Sequence, residues 1–370
     1  MAAGEPKTGL LLSICIPTYN RKNYLERCLR KIEECSVGSE NEIQICVSDN
    51  ASSDGTYELL KKIAAKSRVS ILINRNERNL GFDGNIMTVI DMAQGEWIWL
   101  CGDDDYPYSP NFPKMLELLR ECRDGDVFII KTDSVYENQL ADLSNRANDG
   151  KAFFEDTAGI IKQTPTFLAE LTLRNSWIKN LTEKERKHLL EGMGSEVIHS
   201  WLIKMVCLEH PDAKYLKYPI TTMVTRVSST HISNPQKQIR SMAHFVMLPL
   251  LSLKSAIRTK WGYLPSFVIT TVSMYARFAF NIVIARNFRD IRYDNETVTD
   301  FYTKFRWLSV FFIGPYFMIT FAPRLFSKII YSIGTRIALA TGFEKPMGYK
   351  LSVERWSKTE DTSGGGKYNG

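Results

Sequence analysis

The sequence predicts an α/β protein, a mostly parallel sheet flanked by helices, with a helical, membrane-associating region at its C-terminal end. Three observations lead there. Short apolar runs alternate with amphipathic segments through the first 131 residues, the rhythm of βαβ units. Three polar, turn-rich segments each follow a predicted strand directly, where open parallel sheets bind ligands. From about Ile239 the chain changes to long apolar stretches broken by Pro249, Pro265, Pro315 and Pro323.

The elements follow in order. "GLLLSICI" reads as a strand, and "RKNYLERCLRKIEEC" places Tyr24, Leu25, Cys28, Leu29 and Ile32 at helical spacing. "EIQICVS" is a second strand and "SDGTYELLKKIAAK" a second helix, with Ser53 in N-cap position. "RVSILIN" and "GEWIWLC" are strands on either side of the helical "GNIMTVIDMAQ". "FPKMLELLREC" is a helix and "DVFIIK" a fifth strand. Residues 132–165 are polar and unpatterned, so a loop or flap is expected, with helices returning between Thr166 and Glu209. The organisation predicted is residues 1–232 as the α/β part, 233–358 as a basic, apolar helical part, and 359–370 as a flexible tail.

Composition limits the classes. Of 370 residues, 44% are hydrophobic and 24% charged, which excludes wholesale disorder and allows two domains or one with an appendage. Seven cysteines form no CxxC pair, so buried reduced thiols are expected instead of a disulfide framework or zinc site. The first twenty residues lack a basic-then-apolar signal pattern, and no secretion leader is expected from them.

The net charge of +6 is unevenly spread. Residues 1–230 hold 28 Lys and Arg against 33 Asp and Glu, while 231–358 hold 18 against 6. No acidic residue occurs from Ala213 to Arg289. A basic, apolar and acid-free surface suits anionic lipid headgroups, and the long Phe, Ile and Val runs favour lipid over nucleic acid. "WLSVFFIGPYFMITFAP" has 17 uncharged residues, at the short limit for spanning a bilayer, with Pro315 in the middle. "YLPSFVITTVSMYARFAFNIVIAR" holds Arg277 near its centre, a costly place inside hydrocarbon. Amphipathic helices lying in the interface are therefore expected. A buried core or a dimer interface is the alternative, which leaves a homo-oligomer open.

The polar segments are "PTYNR" (Pro17–Arg21), "SDNASSDGT" (Ser48–Thr56) and "GDDD" (Gly102–Asp105). Alone, each has a plain reading as a turn, a helix cap or a solvated loop. On a parallel sheet all three rise from one edge. Three adjacent carboxylates there suit a hard divalent ion, Mg²⁺ or Mn²⁺, which takes oxygen ligands and bridges phosphates. Asp49 is placed to accept a hydrogen bond from a nucleobase or ribose. No Walker A sequence and no GxGxxG after the first strand are present, so kinase and NAD readings lack support.

Together "LSICIPTYNR", "VSDNASSDGT", "NLGFDGN" and "GEWIWLCGDDD" resemble the family 2 glycosyltransferases of the GT-A fold, in particular bacterial O-antigen and capsule enzymes of the abequosyltransferase kind. The likeness is clear over residues 10–125 and looser to about 230. It implies transfer of a sugar, with inversion, from a nucleotide-sugar donor to an acceptor hydroxyl. Pro17, Thr18, Tyr19 and Asn20 would line the donor pocket, with Asp49 on the base; Asn79, Gly81 and Asn85 match the segment that shapes it. Asp103, Asp104 and Asp105 match the metal-binding DxD element, Asp104 leading as ligand and Asp103 also serving as a ribose contact. Gly102 stands where the common "LDxDD" form has Asp.

The general base expected of an inverting enzyme falls in "EGMGSEVIHSWL", with Glu196 the first choice, His199 the second and Glu191 the third. Arg226 and His231 in "TRVSSTHIS" are placed to grip the diphosphate or complete the metal shell. A polyprenyl-diphosphate-linked saccharide is the expected acceptor, reached from the cytoplasmic face of a bacterial inner membrane by a peripheral or monotopic enzyme. The competing readings are a sugar nucleotidyltransferase, which would want a Gly-rich basic loop that "PTYNRKNY" lacks, and an inactive membrane scaffold.

Overall fold

A computed structural model describes residues 9–122, 129–137, 140, 151–155, 168–191, 193, 198–200, 202–203 and 215–225. The first half alternates as predicted. Strand β1 (Leu12–Thr18) is followed by α1 (Lys22–Cys35), β2 (Ile43–Asp49), α2 (Thr56–Ala64), β3 (Ser70–Arg75), α3 (Gly81–Asp91) and β4 (Trp97–Leu100). All residues of β1, β2 and β4 are buried, which is why they read as continuous apolar runs and not as alternation. The four strands lie in the order β3-β2-β1-β4, all parallel, with Thr18 opposite Asp49 and Cys15 opposite Leu100. Their carboxyl ends therefore share one edge.

Helices cover this sheet through narrow apolar stripes. Leu25, Cys28, Leu29 and Ile32 of α1 are buried, an i, i+3, i+4, i+7 pattern. They pack with Ile14, Ile16, Ile45, Trp97 and Trp99 in one core, each buried aliphatic side chain contributing about 1.5–3 kcal/mol.

The second half departs from the sequence reading. A short β5 (Tyr106–Pro107) and α4 (Phe112–Glu121) lead to β6 (Ile129–Tyr136), which continues five residues into the segment expected as a loop. That segment also holds β7 (Phe153–Glu155). A 3-10 turn (Leu168–Glu170) and β8 (Leu171–Arg174) precede the helices α5 (Asn175–Lys179) and α6 (Glu183–Glu191) expected there. Strand β8 inserts antiparallel between β4 and β6, so the fifth predicted strand is not the neighbour of the fourth. Strand β9 (Tyr215–Thr225) then pairs parallel with β6 and antiparallel with β5 and β7.

Ser53 does not cap α2. The cap position is Gly55, at φ 84°, and the Asp54 carboxylate accepts hydrogen bonds from the Thr56 amide and hydroxyl. Among the described residues no helix is long and apolar enough to cross a membrane. The region 233–358, the tail 359–370, Glu196, Arg226 and His231 lie outside the described residues.

Candidate active site

Three loops meet at the carboxyl edge of β1, β2 and β4, and charge joins them. The Asp103 carboxylate accepts the Thr18 hydroxyl at 2.7 Å through Oδ2 and Arg21 Nη1 at 2.6 Å through Oδ1. Arg21 Nη1 also lies 3.0 Å from Asp104 Oδ2. That contact is an ion pair lacking directed hydrogen-bond geometry, so Asp104 Oδ2 has no hydrogen-bond partner among the described residues, and neither has Asp105 Oδ1. The cation answering the three carboxylates is thus, in part, an arginine of the chain itself.

Burial is severe here. Asp103 is 4% exposed and Asp105 7%. Burial, reinforced by Asp104, holds the Asp103 carboxyl at about 6 although the Arg21 guanidinium pulls it down. Burial, then the charge on Asp104, pushes Asp105 up to about 8. The one guanidinium reaches Asp103 and Asp104, and the oxygens of Asp104 and Asp105 without hydrogen-bond partners mark where a further partner is missing.

Those two oxygens are the observation that fits a divalent ion. Among the described residues no group of three or more His, Cys, Asp or Glu is arranged to hold a metal ion. An ion shared with a diphosphate needs only one or two protein carboxylates, and Asp104 with Asp105 or Asp103 would supply them.

Gly102 is required where the common pattern has Asp. A Cβ there would lie 2.8 Å from Asp105 Oδ2 and 3.1 Å from Asp104 Oδ1. Gly102→Ala is expected to displace both carboxylates and to weaken about tenfold any Mn²⁺-dependent nucleotide binding at this cluster, with an unchanged circular dichroism spectrum. Calorimetric titration checks it, and equal affinity in the two proteins would remove Gly102 from the site.

The second loop surrounds Asp49, which is fully buried at the end of β2. Its carboxylate accepts the Ser52 amide at 3.3 Å on both oxygens, and Arg75 Nε lies 3.6 Å from Oδ2. Arg75 also covers the Tyr57 ring, 4.9 Å from its centroid. The turn is set by Asn20 (φ 53°) and Ala51 (φ 62°), left-handed positions outside glycine that cost of order 1 kcal/mol and cluster at functional sites. Asn20 donates its amide to Ser52 Oγ and accepts the Ser53 amide on Oδ1. Pro17 is buried within β1, and Tyr19 stands 44% exposed at the rim.

A further loop, between β3 and α3, is held by an amide web. Asn50 donates to Asn79 Oδ1 and the Gly81 carbonyl and accepts from Asn76 and the Leu80 amide. Asn85, buried in α3, donates to the Thr18 and Ser48 carbonyls and accepts from Ser48 and Asn76. Asn85 therefore braces the ends of β1 and β2 against α3. Gly81 takes φ 76° and Asn79 accepts its amide. Asp83 accepts the Ile198 amide at 3.2 Å, and His199, buried, sits edge-on to Phe82 at 6.3 Å. The last residue of α6 is Glu191.

Sequence reasoning missed Arg21, Arg75, Asn50 and Asn76 as site residues. Arg21 ends the quoted "PTYNR" and Asn50 lies within the quoted "SDNASSDGT", so the motifs signalled their places; Arg75, which ends β3, and Asn76 after it lie in no quoted segment.

Residues 13–172 match the family described as "Glycosyl transferase family 2". The chain is 43% identical over 96 residues to abequosyltransferase RfbV of Salmonella typhimurium, covering 26% of this chain and 28% of that protein. It is 32% identical over 111 residues to the GalNAc(5)-diNAcBac-PP-undecaprenol beta-1,3-glucosyltransferase of Campylobacter jejuni, covering 30% and 35%. The alignments thus span about a third of the length of these curated relatives. Among solved structures, a mannosyltransferase of Pyrobaculum calidifontis in complex with GDP-Man and Mn²⁺ is 14% identical, covers 90% of this chain and 88% of its own, and has a TM-score of 0.49.

Proposed function

We propose that the chain, whose residues 13–172 match the family described as "Glycosyl transferase family 2", moves a sugar from a nucleotide-sugar donor to the hydroxyl of a lipid-linked saccharide acceptor, metal-dependently and with inversion. The observation that carries this reading is the meeting of Asp49 and of Asp103–Asp105 at one edge of the parallel strands. The two groups suit the two ends of a nucleoside diphosphate sugar. A nucleobase presents N–H donors to a buried carboxylate, and a diphosphate needs the positive charge that the Asp cluster lacks.

The chain's own residues then divide the work. Asp49, held by the Ser52 amide and Arg75, fixes the base. Thr18 orients Asp103, and Asp103–Asp105 with Asn79 and Gly81 set the ribose and phosphate end. Asp104, with Asp103 or Asp105, would hold Mn²⁺ or Mg²⁺, which when bound neutralises the leaving diphosphate. Glu196 takes the proton of the acceptor hydroxyl as that oxygen attacks the anomeric carbon and the diphosphate departs on the opposite face. Arg226 steadies the phosphates.

An undecaprenyl-linked saccharide is named in the Campylobacter relative, and the basic, acid-free stretch from Ala213 to Arg289 suits the anionic membrane that would present such an acceptor. The enzyme would then work at the cytoplasmic face of the inner membrane through residues 233–358.

The test is binding of UDP-, GDP-, dTDP- and CDP-sugars with and without Mn²⁺ to wild type and Asp49→Ala. One donor is expected to bind with metal and to lose about tenfold or more in the variant, because a buried partner for the base is gone. If no nucleotide sugar binds under any metal condition, the reading is wrong.

A further inference from the structure

Within the metal site proposed above, on which this inference rests, one residue of the quoted "PTYNR" has a role that the resemblance does not assign. The Arg21 guanidinium bridges Asp103 Oδ1 at 2.6 Å and Asp104 Oδ2 at 3.0 Å. These are oxygens that a divalent ion would take. The arginine is anchored at its backbone, where its carbonyl accepts the Tyr24 and Leu25 amides and starts α1. Its side chain is 17% exposed and lies over the Tyr24 ring, 5.1 Å from the centroid. The guanidinium can therefore swing while its Cα stays fixed.

We propose that Arg21 is a displaceable internal counter-cation, holding the Asp103–Asp104 pair when no metal is bound and surrendering it to the incoming divalent ion. Two cations cannot share the same two oxygens without strong repulsion at this distance and burial. The released guanidinium stays close to the site, and its planar fork matches two phosphate oxygens. Thr18 keeps its hydrogen bond to Asp103 Oδ2, so that carboxylate holds its orientation through the exchange. Metal arrival would thereby turn an arginine that closes the cluster into one that receives the donor diphosphate.

The experiment titrates Mn²⁺ into the full chain without nucleotide, reading free Mn²⁺ by electron paramagnetic resonance, for wild type, Arg21→Gln and Arg21→Lys. Arg21→Gln is expected to bind Mn²⁺ about tenfold or more tightly, because a buried carboxylate pair stripped of its partner draws in the next cation. At saturating Mn²⁺ the same variant is expected to hold a nucleoside diphosphate about tenfold less tightly. Arg21→Lys keeps the charge but not the fork, and carries the test if the glutamine variant does not fold; its Mn²⁺ affinity is expected to rise by a smaller factor. Mn²⁺ binding by the wild type that is no tighter in either variant would overturn the displacement and leave the metal site standing. Absence of Mn²⁺ binding in all three would overturn the metal site and this role together.

Discussion

Asp104→Asn is expected to reduce sugar transfer about a thousandfold, the size of effect seen when a charge aimed at a developing anion is removed. Asp104 Oδ2 is its carboxylate's tie to Arg21 and is otherwise without a hydrogen-bond partner among the described residues. Asparagine keeps the shape and removes the charge. The amide would also present N–H groups to the space where a metal ion and phosphates meet. The loss should lie in turnover more than in affinity for the nucleoside, whose base the proposed reading places at Asp49, a strand away. Steady-state kinetics with nucleotide binding on the same protein separates the two. A loss smaller than tenfold would show that Asp104 does not hold the ion.

The metal-free protein is expected to lose stability as pH rises from about 4 to about 8, against the trend of most acid-sensitive proteins. Asp105 ordinarily titrates at 3.8, but burial and the neighbouring Asp104 charge raise it to about 8. The folded chain therefore binds this proton more tightly than the unfolded chain does. Stability is fully present below the ordinary value and is lost as pH rises through the folded value. Each tenfold step in proton activity is worth about 1.4 kcal/mol, so the loss amounts to a few kcal/mol. Asp103, at about 6, adds to the lower part of the same window. Urea unfolding in chelator at several pH values should show the decline, and Asp105→Asn should flatten much of it. Mn²⁺ at pH 8 should restore stability, since a ligand of the native state stabilises by mass action. Parallel pH curves for wild type and Asp105→Asn would reject this account.

Those outcomes depend on a site whose position was legible in the sequence and whose internal electrostatics were not. Strands β1, β2 and β4 announced themselves because each is buried and therefore mostly apolar, and their order along the chain placed Asp49 and Asp103–Asp105 on one edge. Strand β8 gave no such sign: Leu171–Arg174 is four residues long and ends in a buried arginine paired with Glu96. Its antiparallel insertion is set by tertiary pairing, which a short run cannot reveal. The α2 cap was misplaced by two residues because Ser52, Ser53 and Asp54 are all capping types; the left-handed Gly55 takes the position instead. The role of Arg21 was hidden for a different reason. An arginine after a strand is usually a solvated residue, and only the fold brings it across 82 positions of sequence to Asp103. The same holds for Asn50 and Asn76, whose amides tie the turns after β2 and β3 to the start of α3.

The turns that carry Thr18, Asp49 and Asp103–Asp105 lie at the carboxyl edge of β1, β2 and β4, away from the edge where these strands begin. The connection between α1 and β2 runs there, through an exposed Val37 and a left-handed Gly38. A strand of seven residues separates it from Asp49, roughly 20 Å at about 3.3 Å per residue. That turn is a natural handle: a dye, a tether or an inserted tag placed at Val37–Gly38 would ride on the protein without shading the donor, and a surface-immobilised molecule would present its working edge outward.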